Sequence, residues 1–78
     1  MLSPTVRKQQ QQLVLDYLSY ACKGARVDPL GAAIALNERY GIRVDWHEVS
    51  AVLENMIRHE CAVYDGWGHD AQRCYIVC

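Results

Sequence analysis

Three observations place this chain in the α+β class, as three helices followed by a β-hairpin with a short strand between the first two helices. Ser3-Pro4 and Asp28-Pro29 have the form of helix starts, a side-chain acceptor followed by a residue that loses no hydrogen bond there. Apolar residues recur at spacings of three and four up to His59, then alternate from Glu60 onward. With 51% hydrophobic and 22% charged residues, the 78-residue chain has material for one core and lacks the composition of a disordered segment. A chain this short hides only about 60–65% of its unfolded surface on folding, so one domain spanning residues 1–78, of marginal stability, is expected.

The first helix is expected to begin at Pro4. Val6, Leu13, Val14, Tyr17, Leu18 and Ala21 form one stripe along it, and Gly24 supplies a stop. Leu15 and Cys22 flank that stripe and add apolar surface beyond what a three-helix core needs, so this helix is the expected contact of a homodimer. Gln9 to Gln12, the low-complexity patch, reads as a solvated polar face. Arg26-Val27 is a short extended stretch. A second helix then runs from Asp28-Pro29 to about Tyr40, before Gly41, with Leu30, Ala33, Ile34, Asn37 and Tyr40 as its inward face.

The clearest local signal belongs to the third helix. Asp45 and Glu48 form a D-x-x-E arrangement resembling a capping box, and Val44 and Val49 occupy the positions of a hydrophobic staple. From about Trp46 to His59 this helix buries Val49, Val52, Leu53, Met56 and Ile57. His47, Ser50, Ala51, Glu54 and Arg58 are left on its outer side, with Trp46 at its mouth. Beyond Glu60, Cys61 and Val63 alternate with Ala62 and Tyr64, and Cys74, Ile76 and Cys78 with Tyr75 and Val77. The eight residues DGWGHDAQ between them read as the hairpin loop.

Charge divides unevenly along the chain. Residues 1–43 carry six cations and three carboxylates, a balance of +3, whereas residues 44–78 set Arg58 and Arg73 against six carboxylates, a balance of -4. No run approaches the roughly 18–20 apolar residues that span a bilayer, and MLSPTVRKQQQQ has no apolar stretch like that of a signal peptide. A cytoplasmic chain with free thiols is expected. Cys22, Cys61, Cys74 and Cys78 would allow three disulfide connectivities in a secreted chain. A zinc site would want close cysteine pairs, and the C-x3-C of Cys74 and Cys78 puts two sulfurs about 13 Å apart along a strand, too far for one ion held at ~2.3 Å.

Nothing in the motifs suggests catalysis or a cofactor. His47, His59 and His69 have no cysteine or carboxylate at a recognised ligand spacing and read as surface or helix-end residues. Cys61 with His59 lacks an orienting group and oxyanion donors, and no Gly-rich phosphate loop is present. No enzymatic activity, metal or cofactor is expected.

Helix, short strand, helix, tight turn, helix, hairpin is the order of a winged helix-turn-helix domain, and the chain resembles that family over nearly its whole length. The segments that carry the resemblance are GAAIALNERYGIRVDWHEVSAVLENMIRHE, as the two-helix motif, and CAVYDGWGHDAQRCYIVC, as the wing. The resemblance implies that Arg26-Val27 pairs with the Cys74 to Cys78 strand, that the helix from Trp46 is the recognition helix and that Gly66 to Gln72 form the wing tip. In most family members the last two elements contact DNA.

The chemistry departs from that scheme. Recognition helices usually show Arg, Lys, Asn or Gln to base edges, with cations nearby for phosphates. Here Glu54 could accept from a cytosine amino group and Arg58 could reach a guanine or a phosphate, but Asp45 and Glu48 lie at the end that enters the groove. Those two also explain themselves as caps favoured by the helix dipole. A surface with so few cations releases few counterions.

The expected function is therefore that of a non-enzymatic binding protein engaging another protein through the third helix and wing, as an inhibitor, adaptor or co-regulator of nucleic-acid-binding machinery. An acidic face bearing tryptophans complements a basic surface. Trp46, His47, Ser50, Glu54, Arg58, Trp67 and Arg73 are the candidate site. Trp46 and Trp67 are its expected anchors, unless Trp67 folds back over Tyr64 or Tyr75 and Trp46 packs on the wing. The alternative is a DNA-binding transcriptional regulator acting as a homodimer, in which the basic first half supplies phosphate contacts.

Overall fold

A computed structural model describes residues 4–68 and 72–78, with side chains from residue 7 onward. The expectations placed on Ser3, His69 and Asp70, and on the Val6 side chain, lie outside the described residues. Helix α1 (Pro4–Asp16) continues as a π turn (Tyr17–Ala21) and is followed by strand β1 (Arg26–Val27), helices α2 (Pro29–Tyr40) and α3 (Trp46–Arg58), and strands β2 (Ala62–Trp67) and β3 (Arg73–Val77). The sheet is antiparallel in the order β1-β3-β2. Three helices, a hairpin wing and a short first strand make this the layout of a small winged helix-turn-helix, α+β in class.

The helix limits follow from local chemistry. The Asp28 carboxylate accepts from the Gly31 N–H, closing the first turn of α2, and a side chain at Gly31 would collide with that carboxylate. At the other end Gly41, with φ of 65°, turns the chain so that its N–H reaches Leu36 O. In α3, Asp45 Oδ1 accepts from the Glu48 N–H at 2.9 Å. Val44 and Val49, the staple pair, are both buried.

The core lies between the helices and one face of the sheet. Val14 and Leu18 enter it from the first helix, Ala32, Ala33 and Leu36 from α2, Val49, Leu53 and Met56 from α3, and Val27, Ala62, Tyr75 and Val77 from the strands. Val52 and Ile57 are partly buried against it, as the spacing in α3 requires. Leu53, completely buried in mid-helix, is where truncation to alanine is costly, about 2–5 kcal/mol. β1 pairs with β3 through Arg26↔Ile76 and Val27↔Tyr75.

Five sequence expectations are corrected. The first helix does not stay α-helical to Gly24, because Cys22 N–H bonds Tyr17 O across a wider turn that shifts the phase of the stripe. Leu15 and Cys22, expected to be spare for a dimer contact, pack with the core, while Leu13 and Tyr20 are the exposed apolar residues, Tyr20 at 82%. In α2 the inward face is turned by about one residue: Pro29, Ala32, Ala33 and Leu36 are buried, and Leu30, Ile34 and Tyr40 are exposed. Small alanines let α2 approach its neighbours closely. Asn37, the polar member of the expected stripe, donates to Ala33 O and Val44 O and ties α2 to the turn before α3.

The fourth correction concerns the hairpin loop. Asp65, Gly66 and Trp67 belong to β2, whose register with β3 resumes at Trp67↔Arg73 after an irregularity, so the connection is shorter than DGWGHDAQ. The fifth is that Glu54, expected on the outer side of α3, turns to the sheet.

Candidate functional site

Two aromatic groups flank α3, one at its head and one on the wing. On the wing, β2 and β3 bring Tyr64, Trp67, Arg73 and Tyr75 together. In a regular strand Tyr64 and Trp67, three positions apart, would point to opposite faces. The extra residue of the bulge between them, with Gly66 at φ of 74°, returns Trp67 to the face that Tyr64 occupies. The Arg73 guanidinium then lies 4.4 Å from the Tyr64 ring centroid and 5.0 Å from that of Trp67. Such cation–π contacts contribute about 0.5–1 kcal/mol at exposed sites.

The bulge is held from the neighbouring strand. Arg26 of β1 reaches past β3, with Nε 2.8 Å from Asp65 Oδ2 and Nη2 donating to Asp65 O at 3.3 Å and Trp67 O at 3.4 Å. Asp65 thus has its charge compensated locally. On the inner side, α3 supplies Glu54, whose Oε2 accepts from Tyr64 Oη at 2.5 Å and whose Oε1 accepts from Tyr75 Oη at 2.7 Å. The two tyrosine rings lie 5.6 Å apart.

These bonds set the local titration. The Tyr64 hydroxyl, followed by that of Tyr75, holds the Glu54 carboxyl below its ordinary range. Burial first, and the Glu54 hydrogen bond second, push the Tyr75 hydroxyl up to about 12. Tyr64 is raised chiefly by its bond to Glu54. The carboxylate that the sequence offered as a base reader is therefore committed to two phenols. Trp67 remains 64% exposed and Tyr64 46%.

At the head of α3, Trp46 stacks on His47 with ring centroids 3.7 Å apart and planes at 27°. Trp46 lies beside Leu30 and Ile34 of α2, along a shallow groove of about 330 Å³ also lined by Val44, Glu38 and Asp45. Asp45 and Glu48 bring two carboxylates to this end, where Arg7 of α1 lines the same hollow.

The seven sequence candidates thus divide. Trp46 and His47 form the head. Glu54, Trp67 and Arg73 meet at the wing, with Ser50 half-buried one turn before Glu54 and Arg58 exposed one turn beyond it. Sequence reasoning missed Tyr64 and Tyr75 as the partners of Glu54, Arg26 as the clamp on the bulge, and the exposed Leu30 and Ile34. Gly66 inside an alternating stretch was the available signal for the bulge; the tyrosine contacts span separations of 10 and 21 residues and leave no local mark.

Among the described residues, no group of three or more His, Cys, Asp or Glu is placed to hold a metal ion, and no helix is long and apolar enough to cross a membrane. A scan against protein-family models finds no match for the chain, and a search of curated proteins finds no similar one.

Proposed function

We propose that this chain is a non-enzymatic binding protein that engages another protein through the head of α3 and the wing, as an inhibitor, adaptor or co-regulator of nucleic-acid-binding machinery. The observation that carries this reading is the exposed Trp67–Arg73–Tyr64 cluster, held in place from below by Glu54 and from the side by Arg26. Exposed aromatic residues whose position is already fixed lose little freedom on binding, and Trp, Tyr and Arg are the residues that dominate protein interfaces. Trp46, with Leu30 and Ile34 beside it, adds a second apolar contact point at the head. Asp45 and Glu48 favour a basic partner surface.

The competing reading, a homodimeric DNA-binding regulator, is supported by the layout, with α3 and the wing where such proteins meet DNA. It is opposed by the chemistry of that face. Arg73 is engaged by two rings, Glu54 by two hydroxyls, and the groove-entering end of α3 carries Asp45 and Glu48 against Arg7 of α1, which leaves few cations on that face.

Affinity capture with the immobilised wild-type chain and three variants separates the two readings. A specific protein that is retained by wild type and by Arg58→Ala, and lost with Trp67→Ala and Trp46→Ala, is the expected outcome. Capture indifferent to both tryptophan substitutions contradicts it.

A further inference from the structure

The base of the wing holds a pair of exposed thiols, Cys61 and Cys78, outside the aromatic cluster. β2 and β3 run in register through Ala62↔Val77 and Val63↔Ile76, so one step beyond the ladder Cys61 stands opposite Cys78. The Cys78 N–H donates to Cys61 O at 2.9 Å, one of the two bonds of a ladder pair, while the Cys61 N–H donates to Met56 O at 2.8 Å. Ala62 and Val77 are buried in the core, so by strand alternation Cys61 and Cys78 both project from the outer face of the sheet. Both thiols are free and exposed, whereas Cys22 and Cys74 are buried. The Cys61 thiol lies 3.5 Å from His59 O, a weak contact that is easily given up.

Hydrogen-bonded antiparallel pairs have Cα atoms about 5.5 Å apart, inside the range of about 4.4–6.8 Å that disulfides span. The β-carbons of such a pair sit slightly wider than a relaxed disulfide prefers, and strained bridges are the readily reduced ones. We propose that Cys61 and Cys78 form a dithiol site that reacts with low-molecular-weight disulfides and closes reversibly into a cross-strand bridge at the base of the wing. In the first step one cysteine thiolate attacks a sulfur of the small disulfide, forming a mixed disulfide and expelling one small thiolate. The second cysteine thiolate then attacks the protein sulfur of that mixed disulfide and expels the other small thiolate. The protons lost by the two cysteines end on the two released thiols, and the small disulfide is the oxidant reduced.

The bridge would tie the end of β3 to the start of β2, directly after α3, and limit fraying of the strands that carry Trp67 and Arg73. It rests on the register, the backbone bond and the exposure of the two thiols, and stands whatever the wing binds.

The test is incubation of the folded Cys74→Ala chain with oxidised glutathione at mildly alkaline pH, followed by intact-mass and peptide analysis without reduction. The expected product is a monomer about 2 Da lighter than the reduced chain, with residues 61 and 78 linked. Its melting temperature should rise by roughly 10 °C and return on reduction. Cys61→Ser and Cys78→Ser, both surface changes, should each stop at the mixed disulfide. A monomer carrying glutathione on both cysteines, a bridge through Cys22, or a disulfide-linked dimer as the main product would overturn the proposal.

Discussion

The two ends of α3 present aromatic surface in different ways. At the head, Trp46 stands on its sequence neighbour His47 beside the open groove of α2, and the carboxylates there are placed by helix capping. At the wing, Trp67 and Tyr64 are set by long-range partners: Arg73 between the rings, Glu54 beneath, and Arg26 across the sheet. The head is local in origin and the wing is assembled by the fold. An interaction surface of the second kind is ordered before the partner arrives, and so should carry the larger share of the binding energy.

Replacement of each tryptophan tests this ranking most strongly. Trp67→Ala should weaken partner binding by about 2 kcal/mol or more, roughly 30-fold, while leaving the melting temperature within a few degrees of wild type. Trp46→Ala should weaken it less, by about tenfold. Equal losses, measured by titration calorimetry once the partner is in hand, would remove the distinction between the ends.

Next in size is the support beneath the wing. Glu54→Gln removes a charged acceptor shared by two hydroxyls and should lower stability by about 1 kcal/mol in urea denaturation, a figure kept small by solvent near the carboxylate. The same substitution should change the pH profile. Because Glu54 is held below its ordinary range when folded, its contribution is present above the usual glutamate pKa and is lost as pH falls through the folded value. Glu54→Gln should flatten that acid limb. Tyr75 behaves in the opposite sense: its hydroxyl is raised from 10.0 to about 12, so its contribution is intact below pH 10.0 and is lost as pH rises through about 12. Tyr75→Phe should remove this alkaline component.

At the head, Asp45→Ala removes the cap of α3 and should cost about 1 kcal/mol, seen as a fall of roughly 4–8 °C in melting temperature. Tyr64→Phe should give the smallest change in stability, within the scatter of a denaturant titration, because its hydroxyl is open to water. Its effect should appear instead as a weaker acid limb in the Glu54 profile.

What was legible in the sequence follows the same division. The limits of α2 and α3 were written locally, in Asp28-Pro29, Gly41, Asp45 and the Val44/Val49 pair, because capping depends on residues three or four apart. The α+β order was legible from the change of period after His59. The inward faces of the first two helices were legible only in part, since the choice of face depends on neighbours: Val14 and Leu18 of the first stripe and Ala33 of the second are buried as expected, but Ala32 and Leu36 take the places expected for Leu30 and Ile34, and the π turn brings Cys22 inward. The role of Glu54 was hidden for the same reason. Its partners lie on strands that meet α3 only after folding.

The direct test of the central claim is a fluorescence anisotropy titration of labelled random-sequence and native-locus duplex DNA with micromolar protein at about 50 mM salt, where even weak cationic faces bind. A face built for a protein partner predicts no binding to either duplex. Saturable binding that collapses between roughly 50 and 200 mM salt would contradict it, and would assign α3 and the wing to DNA.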